Sequence, residues 1–545
     1  MSVVRPEALW FGTSAEPLMG LLHLPPYAAR GGVLLCPPLG YEAWTSYQTY
    51  RCVAEELCQF GLAALRFDYA GTGDSSGNYA DPGRIAAYLE SVRQGAHVLR
   101  KHTSGPLFLI GLRFGALLAA LLADELCAAG VVLWDPIASG KRYVRELKMM
   151  SASSRAESAL DDGCLEIAGC VHTPETVADL SQLEIAQAGL RKVKQVLIVE
   201  RAERTAAPGL PARLEAAGVP CRVCAVRGTA EMMDESTEES RVPENIVALL
   251  RDFCVSATCA EPPAEPRQVA TALASAACFE WAGVQVREEA VRIGPIGLFG
   301  VLGTPPVPAS TLAIFLSSGT EHRVGPGRTW VEYGRGFNAH GIATLRVDFD
   351  GVGDSPLRGP GRRVRPYDPA FFEDVADVMR FARSLGYARI AVLGLCSGAW
   401  MAVRAGLELG ADIVAPINVQ MYWEAGDHVE SSMRNTIAYY AEQRARERRL
   451  ALYGLWSGLD LFRARPQAGR WLDALVAKGV RTLLAFSDRD PGLQYLEQRC
   501  ARRLRRVVRT GLVQVAEISG LDHAMHRHLL RPPMFDTLLR HVEAA

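Results

Sequence analysis

Two stretches of the chain have the glycine spacing of a nucleophile elbow, a tight turn between a strand and a helix that presents one reactive side chain. GLCSG (394–398) places Cys396 at the centre of the turn, and GLRFG (111–115) places Arg113 there. A thiolate attacks carbonyl carbons, whereas a guanidinium stays protonated and offers no lone pair. The two stretches predict covalent chemistry at Cys396 and its loss at Arg113.

A nucleophile of this kind requires a base, and the base requires an acid that orients it. Asp490 follows the strand-like segment TLLAF, and His523 follows the strand-like segment LVQVAEI. Both residues come after Cys396 in the order nucleophile, acid, base, and at the ends of strands, where open α/β sheets bind ligands. We therefore predict a triad of Cys396, His523 and Asp490.

Three neighbouring residues are alternatives for the acid and the base. Asp488 is the alternative acid, and His526 and His528 are the alternative bases. We favour Asp490 because an Asp-Pro pair opens the following helical segment and holds the loop. We favour His523 because the other two histidines fall in a stretch expected to enter the last helix.

Short apolar segments alternate with amphipathic ones in both halves of the chain, and this alternation predicts a mostly parallel sheet with helices on both faces. An example of an amphipathic helix is the segment 371–386. The strands predicted in the second half are 312–316, 343–349, 389–395, 412–417, 482–486 and 512–518.

The chain repeats itself. LMGLLHLPP (18–26) matches LFGVLGTPP (298–306), and LRFDYAGTGDS (65–75) matches LRVDFDGVGDS (345–355), both at an offset of 280 residues. The two elbows follow at an offset of 283 residues. Three blocks in the same order at a nearly constant offset predict two copies of one domain.

The predicted domains are 1–255 and 279–545, joined by an Ala- and Pro-rich linker at 256–278. In the second domain, the interval of about 420–480 is too long for a simple crossover and predicts a helical lid over the strand ends. A shorter interval of the same kind, about 140–192, occurs in the first domain.

The second copy resembles the α/β-hydrolase superfamily, and most closely its serine-aminopeptidase-like members, which include the exosortase-system-associated hydrolases. The resemblance implies two tandem α/β-hydrolase domains, of which the first carries the likeness in weaker form. The segments that carry it in the second copy are SSGTEHRVGPGR (317–328), LRVDFDGVGDS (345–355), GLCSG (394–398), SDRDP (487–491) and SGLDH (519–523), and those in the first copy are LCPPLGYE (35–42), FDYAGTGDSSG (67–77) and GLRFG (111–115).

The resemblance also implies an oxyanion hole formed by the backbone N–H of Ser397 and by a second N–H near Ser318 or Gly319. Paired donors of this kind stabilise the negative charge that develops on a substrate oxygen. Side chains of the same loop and of the lid are candidates for the substrate pocket, although loop and lid residues also pack for purely structural reasons. The candidate pocket residues are His322, Tyr422 and Trp423.

Cysteine in place of serine favours acyl chains that arrive as thioesters, because the acyl-cysteine intermediate is itself a thioester and the exchange is nearly balanced in energy. Relatives with such elbows include polyester synthases, some thioesterase domains and dienelactone hydrolases. We expect acyl transfer, cyclisation or thioester hydrolysis in a biosynthetic pathway, with the acyl group on coenzyme A or a carrier protein. The alternatives are an ester or lactone hydrolase and a non-catalytic scaffold that binds a carrier protein. The chemistry requires neither a cofactor nor a metal.

The first copy lacks a base as well as a nucleophile, since no histidine occurs between 173 and 321. Arg113 either belongs to a domain retained for packing, or fills the old site beside Glu200, Glu203 or Glu231, or binds an anionic ligand. In each case this copy cannot perform the covalent chemistry predicted for Cys396.

The composition limits the kinds of binding partner and the cellular compartment that we expect for the protein. The 545 residues include 59 basic and 60 acidic ones, and this balance does not indicate nucleic acid as a partner. The first residues lack the pattern of a signal peptide, and no apolar run has the length of a membrane span. Thirteen cysteines without disulfide or zinc spacing suggest a reducing cytoplasm. A homodimer is a candidate assembly.

Overall fold

Uninterrupted apolar segments form the central strands, as expected where helices cover both faces of a sheet. All six residues of the strand Thr311–Leu316 are buried. Ile314 belongs to one hydrophobic cluster and Phe315 to another. Because successive side chains point to opposite faces, this strand contributes to a core on each side of its sheet.

The computed structural model describes residues 5–154, 163–205, 207–258, 273–359, 364, 367–421 and 467–544. The chain divides into two units, residues 1–280 and 281–545. Within the described ranges, none of the helices combines the length and the apolar character that a membrane crossing requires.

The first unit alternates strands and helices around a central sheet. Its elements are β1 (Glu7–Gly12), β2 (Pro17–His23), β3 (Gly32–Cys36), α1 (Tyr41–Gln59), β4 (Ala63–Phe67), α2 (Arg84–Arg100), β5 (Leu107–Leu112), α3 (Phe114–Leu122), β6 (Gly130–Trp134), α4 (Gly140–Ser154), β7 (Leu165–Ile167), β8 (Cys170–His172), α5 (Pro174–Gln182), β9 (Gln195–Arg201), α6 (Leu210–Ala216), β10 (Cys221–Val226), α7 (Thr229–Met233) and α8 (Glu244–Ser256).

The second sheet is built in the same manner. Its strands and their helices are β11 (Ala276–Trp281), β12 (Val284–Ile293), β13 (Leu298–Thr304), β14 (Thr311–Leu316), α9 (Thr329–Ala339), β15 (Ala343–Val347), α10 (Pro369–Ser384), β16 (Arg389–Leu395), α11 (Ser397–Glu408), β17 (Ile413–Ile417), α12 (Gln467–Ala477), β18 (Arg481–Ser487), α13 (Pro491–Val508), β19 (Val513–Ile518) and α14 (Pro532–Glu543).

Equivalent strands have the same order in the two sheets. Among the described residues, the first sheet runs β1-β2-β4-β3-β5-β6-β9-β10, and the second runs β11-β12-β13-β15-β14-β16-β17-β18-β19. In each sheet one strand, β2 or β13, pairs antiparallel with both of its neighbours, and the six strands beyond it pair parallel with one another. Each elbow therefore follows a central parallel strand, β5 or β16, whose carboxyl end faces the same edge as those of its neighbours.

The predicted α/β fold with mostly parallel sheets is confirmed, and each predicted strand of the second copy forms within two residues of its expected bounds. Two details differ. The last residues of the predicted linker, 276–278, belong to β11. The interval 140–192 is not purely helical, because the hairpin β7–β8 separates α4 from α5. Most of the predicted lid, 422–466, lies outside the described residues.

Candidate active site

Both elbows adopt the same strained backbone conformation. Cys396 has φ 53° and ψ −109°, and Arg113 has φ 53° and ψ −114°. A positive φ is unfavourable for residues with a Cβ and persists only where the surrounding structure enforces it. In each copy, the backbone turns sharply at the end of the strand and enters a helix at the next residue.

The two glycines of GLCSG are required because backbone atoms lie where a side chain would begin. A Cβ on Gly394 would be 2.3 Å from the carbonyl oxygen of Gly398, and one on Gly398 would be 2.4 Å from that of Leu316. Both distances are far below van der Waals contact, so the turn closes only with glycine at these positions. The spacing read from the sequence thus has a steric cause.

Asp490 uses both carboxylate oxygens. Its Oδ1 accepts a 2.7 Å hydrogen bond from the N–H of Gly492 and caps the start of α13, where Pro491 is the first helical residue. Its Oδ2 is 2.6 Å from Nδ1 of His523. The side chain of Asp490 is fully buried. The hydrogen bond that caps α13 holds the carboxylate in the orientation that binds the imidazole.

His523 lies between Asp490 and the thiol of Cys396. Burial lowers the pKa of His523, but the charge of Cys396 and the hydrogen bond to Asp490 outweigh it and raise this pKa from 6.5 to about 10. Nε2 is buried and makes no hydrogen bond of normal geometry with any described group. A thiolate beside an imidazolium is the reactive state of a cysteine nucleophile.

The alternative acid and bases lie elsewhere. Asp488 is exposed at the end of β18. Nδ1 of His526 is 3.2 Å from Asp522, and Nδ1 of His528 is 3.5 Å from Glu332. Both histidines precede the last helix, which begins at Pro532. Among the predicted candidates, the structure brings together Cys396, His523 and Asp490.

The predicted oxyanion donors occupy the loop after β14 and the start of α11. Ser397 is the first residue of α11, where a helix leaves its backbone N–H groups without helical acceptors. The N–H of Gly319, however, donates a 2.7 Å hydrogen bond to Oγ of Ser397. The carbonyl of Ser318 accepts from the N–H of Glu321 within the same loop. Gly319 therefore ties the loop to the elbow, a role that the sequence did not indicate.

Two buried arginines hold this loop in place. Nη1 of Arg323 lies 2.7 Å from Asp348 and 2.8 Å from Asp354, the first and last aspartates of the segment DFDGVGD (348–354). Arg531 donates to the carbonyl of Gly327 at 2.8 Å and to that of Met525, two residues after the candidate base, at 2.7 Å. These contacts connect the loop after β14 to the loop that carries His523, which is called the histidine loop below.

Of the candidate pocket residues, only one belongs to the described chain. His322 is half-buried in the loop after β14, and its carbonyl accepts a 3.0 Å hydrogen bond from Oγ of Ser317. Tyr422 and Trp423 lie outside the described residues, so their predicted place in the pocket stays a prediction.

Tyr367 contacts Cys396, although sequence reasoning did not identify it. Its hydroxyl lies 3.8 Å from Sγ of Cys396, within the range of a hydrogen bond to sulfur. The side chain is buried, the backbone has φ 61°, and the ring packs edge-on against Trp400. A strained backbone that directs a buried hydroxyl at a reactive sulfur is typical of a functional site. Its sequence neighbourhood, RPYDP, carried no pattern that would reveal this contact.

Removing this hydroxyl tests its role. We expect Tyr367→Phe to slow the alkylation of Cys396 by iodoacetamide at neutral pH by about 2- to 10-fold, because one hydrogen bond that stabilises the thiolate is lost. The measurement is the rate for the Cys396 peptide as a function of pH, read by mass spectrometry. Tyr387→Phe is the control, since Tyr387 precedes β16 at the end opposite Cys396. If the alkylation rate of Tyr367→Phe depends on pH as in the wild type, the hydroxyl has only a packing role.

The equivalent position in the first unit is filled by an ion-pair network. Nε of Arg113 is 2.9 Å from Glu42, its Nη2 is 2.5 Å from Glu146, and its Nη1 is 3.8 Å from Asp135. Burial disfavours the charge, yet the carboxylates outweigh it and raise the pKa of Arg113. The ring of Tyr143 lies beneath the guanidinium. Arg113 thus occupies the elbow position equivalent to Cys396 together with its own counter-charges.

The predicted partners of Arg113 are wrong, although an ion-pair network is present. Glu200 lies in β9, Glu203 follows it, and Glu231 lies in α7, yet none of them pairs with Arg113 among the described contacts. The observed partners come from α1, α4 and the residue after β6. Such contacts between distant segments leave no local pattern in the sequence.

One family model matches part of the chain. Residues 30–182 match the family model described as serine aminopeptidase, S33. This match lies in the unit with Arg113, whereas the sequence pattern indicated the closer likeness in the second copy. It covers less than half of the chain, and no curated protein matches the sequence.

Solved structures similar to the chain cover about half of it. Est1E from Butyrivibrio proteoclasticus is 15% identical with a TM-score of 0.35, and the match covers 46% of this chain and 98% of that protein. A serine hydrolase without a lid from Xanthomonas campestris is 17% identical with a TM-score of 0.31, covering 48% and 99%. An esterase from Pyrococcus furiosus is 11% identical with a TM-score of 0.32, covering 49% and 96%.

The two units have the same strand order and the same strand–elbow–helix turn, so they share one fold. The family match at residues 30–182 agrees with this architecture. Both units have an α/β-hydrolase fold, and residues 30–182 are similar to the serine aminopeptidase S33 family.

Proposed function

We propose that the second unit is an acyl-transferring or thioester-cleaving enzyme that works through an acyl-Cys396 intermediate. The observation that supports this proposal is the convergence of three side chains at the carboxyl ends of β16, β18 and β19. Asp490 binds Nδ1 of His523 at 2.6 Å, and the charge of Cys396 raises the pKa of the same imidazole. In this proposal the first unit performs no covalent chemistry.

The first half of the reaction forms a thioester on the enzyme. The Cys396 thiolate attacks the carbonyl carbon of the substrate, and its electron pair forms the new C–S bond. The negative charge passes to the carbonyl oxygen, where the N–H of Ser397 at the start of α11 stabilises it. When the tetrahedral intermediate collapses, the bond to the leaving sulfur or oxygen breaks, and the imidazolium of His523 donates its proton to that atom.

The second half returns the enzyme to its starting state. Neutral His523 accepts a proton from the incoming acceptor, which attacks the acyl carbon and releases the Cys396 thiolate. Asp490 remains ionised and keeps the imidazole in the required tautomer. The acceptor decides the outcome: an amine, alcohol or thiol gives transfer, an internal nucleophile gives cyclisation, and water gives the free acid.

A thioester substrate is favoured because sulfur exchanges with sulfur. The acyl-enzyme and the substrate then have similar energies, so a cysteine loads readily from coenzyme A or from a phosphopantetheine arm. An oxoester has a poorer leaving group, and a serine elbow suits it equally well. This argument concerns the nucleophile alone and leaves the acyl chain open.

Intact-protein mass spectrometry with a matched pair of acyl donors tests this proposal. We expect an N-acetylcysteamine thioester to add one acyl group to the wild-type protein, and Cys396→Ala to abolish the adduct. The oxoester of the same acyl chain should load more slowly. Cys500→Ala is the control, because Cys500 is a second buried cysteine of the same unit.

The other outcomes separate the alternatives. Rapid release of free acid from both donors, with no preference for the thioester, indicates an ester or lactone hydrolase. No adduct with short, medium or long acyl chains, in a protein that retains its fold, contradicts covalent catalysis and favours a scaffold. An adduct that survives in Cys396→Ala would place the reactive residue elsewhere.

A further inference from the structure

The residue that follows β17, Asn418, contacts the backbone of the candidate base. Its side chain is fully buried, and its backbone has φ 53°. Nδ2 donates to the carbonyl oxygen of His523 at 2.7 Å and to Oγ of Ser487 at 2.5 Å. Oδ1 accepts a 2.7 Å hydrogen bond from the N–H of Ser487. Every hydrogen bond that the structure shows for this side-chain amide is made to the end of β18 or to the histidine loop.

Ser487 contacts the neighbouring peptide of that loop. It is the last residue of β18, and its hydroxyl donates to the carbonyl oxygen of Asp522 at 2.9 Å. Two successive carbonyls, those of Asp522 and His523, are therefore held by one buried amide–hydroxyl pair. Fixing two consecutive peptide groups restricts where the imidazole of His523 can point.

The first unit has a different pair at the equivalent positions. Asp135 follows β6, has φ 41° and donates its N–H to Val199, as Asn418 follows β17 and donates to Ala485. Arg201 ends β9 as Ser487 ends β18, and its Nε lies 2.8 Å from Oδ2 of Asp135. The unit with Arg113 at its elbow thus carries a carboxylate–guanidinium pair, and the unit with Cys396 carries a neutral pair.

We propose that Asn418 and Ser487 position His523 against Cys396, and that this role requires a neutral amide at position 418. The inference rests on the proposed function. A carboxylate at 418 accepts hydrogen bonds but donates none, so it would release the carbonyl of His523. It would also repel that carbonyl oxygen and the one of Asp522. The imidazole would then lose the orientation in which it serves the thiol, while the fold of the unit persists.

The test measures the reactivity of Cys396 and requires no acyl substrate. The rate of iodoacetamide alkylation is followed from pH 5 to 10 for the Cys396 peptide, with the exposed Cys127 and Cys278 as internal references. The variants are Asn418→Asp, which keeps the shape and tolerates the positive φ, and Ser487→Ala. Each is made in the wild-type protein and in His523→Ala.

Asn338→Asp is the matched control. Asn338 is fully buried in the same unit, and its Nδ2 donates to the carbonyl of Ile342 at 2.9 Å, before the start of β15. Both substitutions place a carboxylate in a buried site where an amide had bound a backbone carbonyl. A general loss of stability would therefore affect both variants, whereas a loss of positioning would affect only Asn418→Asp.

We expect Asn418→Asp to slow alkylation of Cys396 at pH 7 by up to about 100-fold and to move the profile to higher pH, as displacement of a reacting group by about 1 Å does. Ser487→Ala should have a smaller effect in the same direction. In His523→Ala, neither substitution should slow alkylation further, because residues that act through one group are not additive.

Three results would overturn the inference. If Asn418→Asp and Ser487→Ala leave the profile as in wild type although His523→Ala shifts it, the pair does not position the base, and the proposed function survives. If their effects add in full to that of His523→Ala, their role is structural. If His523→Ala itself leaves the profile unchanged, the proposed function fails together with the inference.

Discussion

Replacing His523 by alanine is expected to lower the rate of acylation of Cys396 by about 10²- to 10⁴-fold at neutral pH, the usual range for loss of a positioned acid–base group. In the proposed mechanism the imidazolium stabilises the thiolate and protonates the leaving group, and removal of the ring ends both functions. Stopped-flow measurement of thiol release from the acyl thioester gives the rate directly.

His528→Ala is the control for this variant, because His528 was an alternative base and lies 3.5 Å from Glu332, away from the thiol. It should retain a rate close to that of wild type. A large loss in His528→Ala, with little change in His523→Ala, would contradict the assignment of the base.

The same histidine predicts a pH dependence of stability. Its pKa is raised from 6.5 to about 10 in the folded protein, so folding favours the protonated form. The stabilisation is fully present below pH 6.5 and is lost as the pH rises through about 10. The free energy of unfolding of the wild type relative to His523→Ala should therefore decrease over this interval. A difference that grows with pH would contradict the raised pKa.

Replacing Arg113 by alanine is expected to destabilise the first unit by about 3–5 kcal/mol, the usual cost of removing one partner from a buried ion pair. Glu42 and Glu146 would lose the cation that they share, whereas Asp135 would keep its ion pairs with Arg201 and Arg204. The pKa of Glu42 is already raised by burial, so protonation of this carboxyl will limit the cost. Amide hydrogen exchange in peptides from β5 and β6 measures the effect.

Arg93→Ala is the matched control. Arg93 pairs with Glu125 at 2.6 Å on the surface, where an ion pair contributes about 0–1 kcal/mol. We expect exchange in β5 and β6 to remain unchanged in this variant. In Arg113→Ala, alkylation of Cys396 should proceed at the wild-type rate. A slower rate in a second unit that remains folded would show that the first unit contributes to the chemistry.

Much of the candidate site could be predicted because each of its parts has a local signature. The elbow requires glycines two positions before and after Cys396, and the steric reason holds in any sequence that makes this turn. Asp490 is recognisable from the Asp-Pro pair that starts α13, and His523 from its place after the last strand. Parallel strands bring their carboxyl ends to one edge, so residues at those ends meet without further information.

The sequence by itself determined the alternation of strands and helices, the two elbows and the absence of a nucleophile at Arg113, since these depend on residue type and short-range spacing. Tertiary structure alone decided which carboxylates surround Arg113, that Gly319 bonds to Ser397, and that Tyr367 reaches the sulfur. These contacts join segments that are tens to hundreds of residues apart. Because any of several acidic or polar residues could satisfy the same charge or hydrogen bond, only the packing of the chain selects among them.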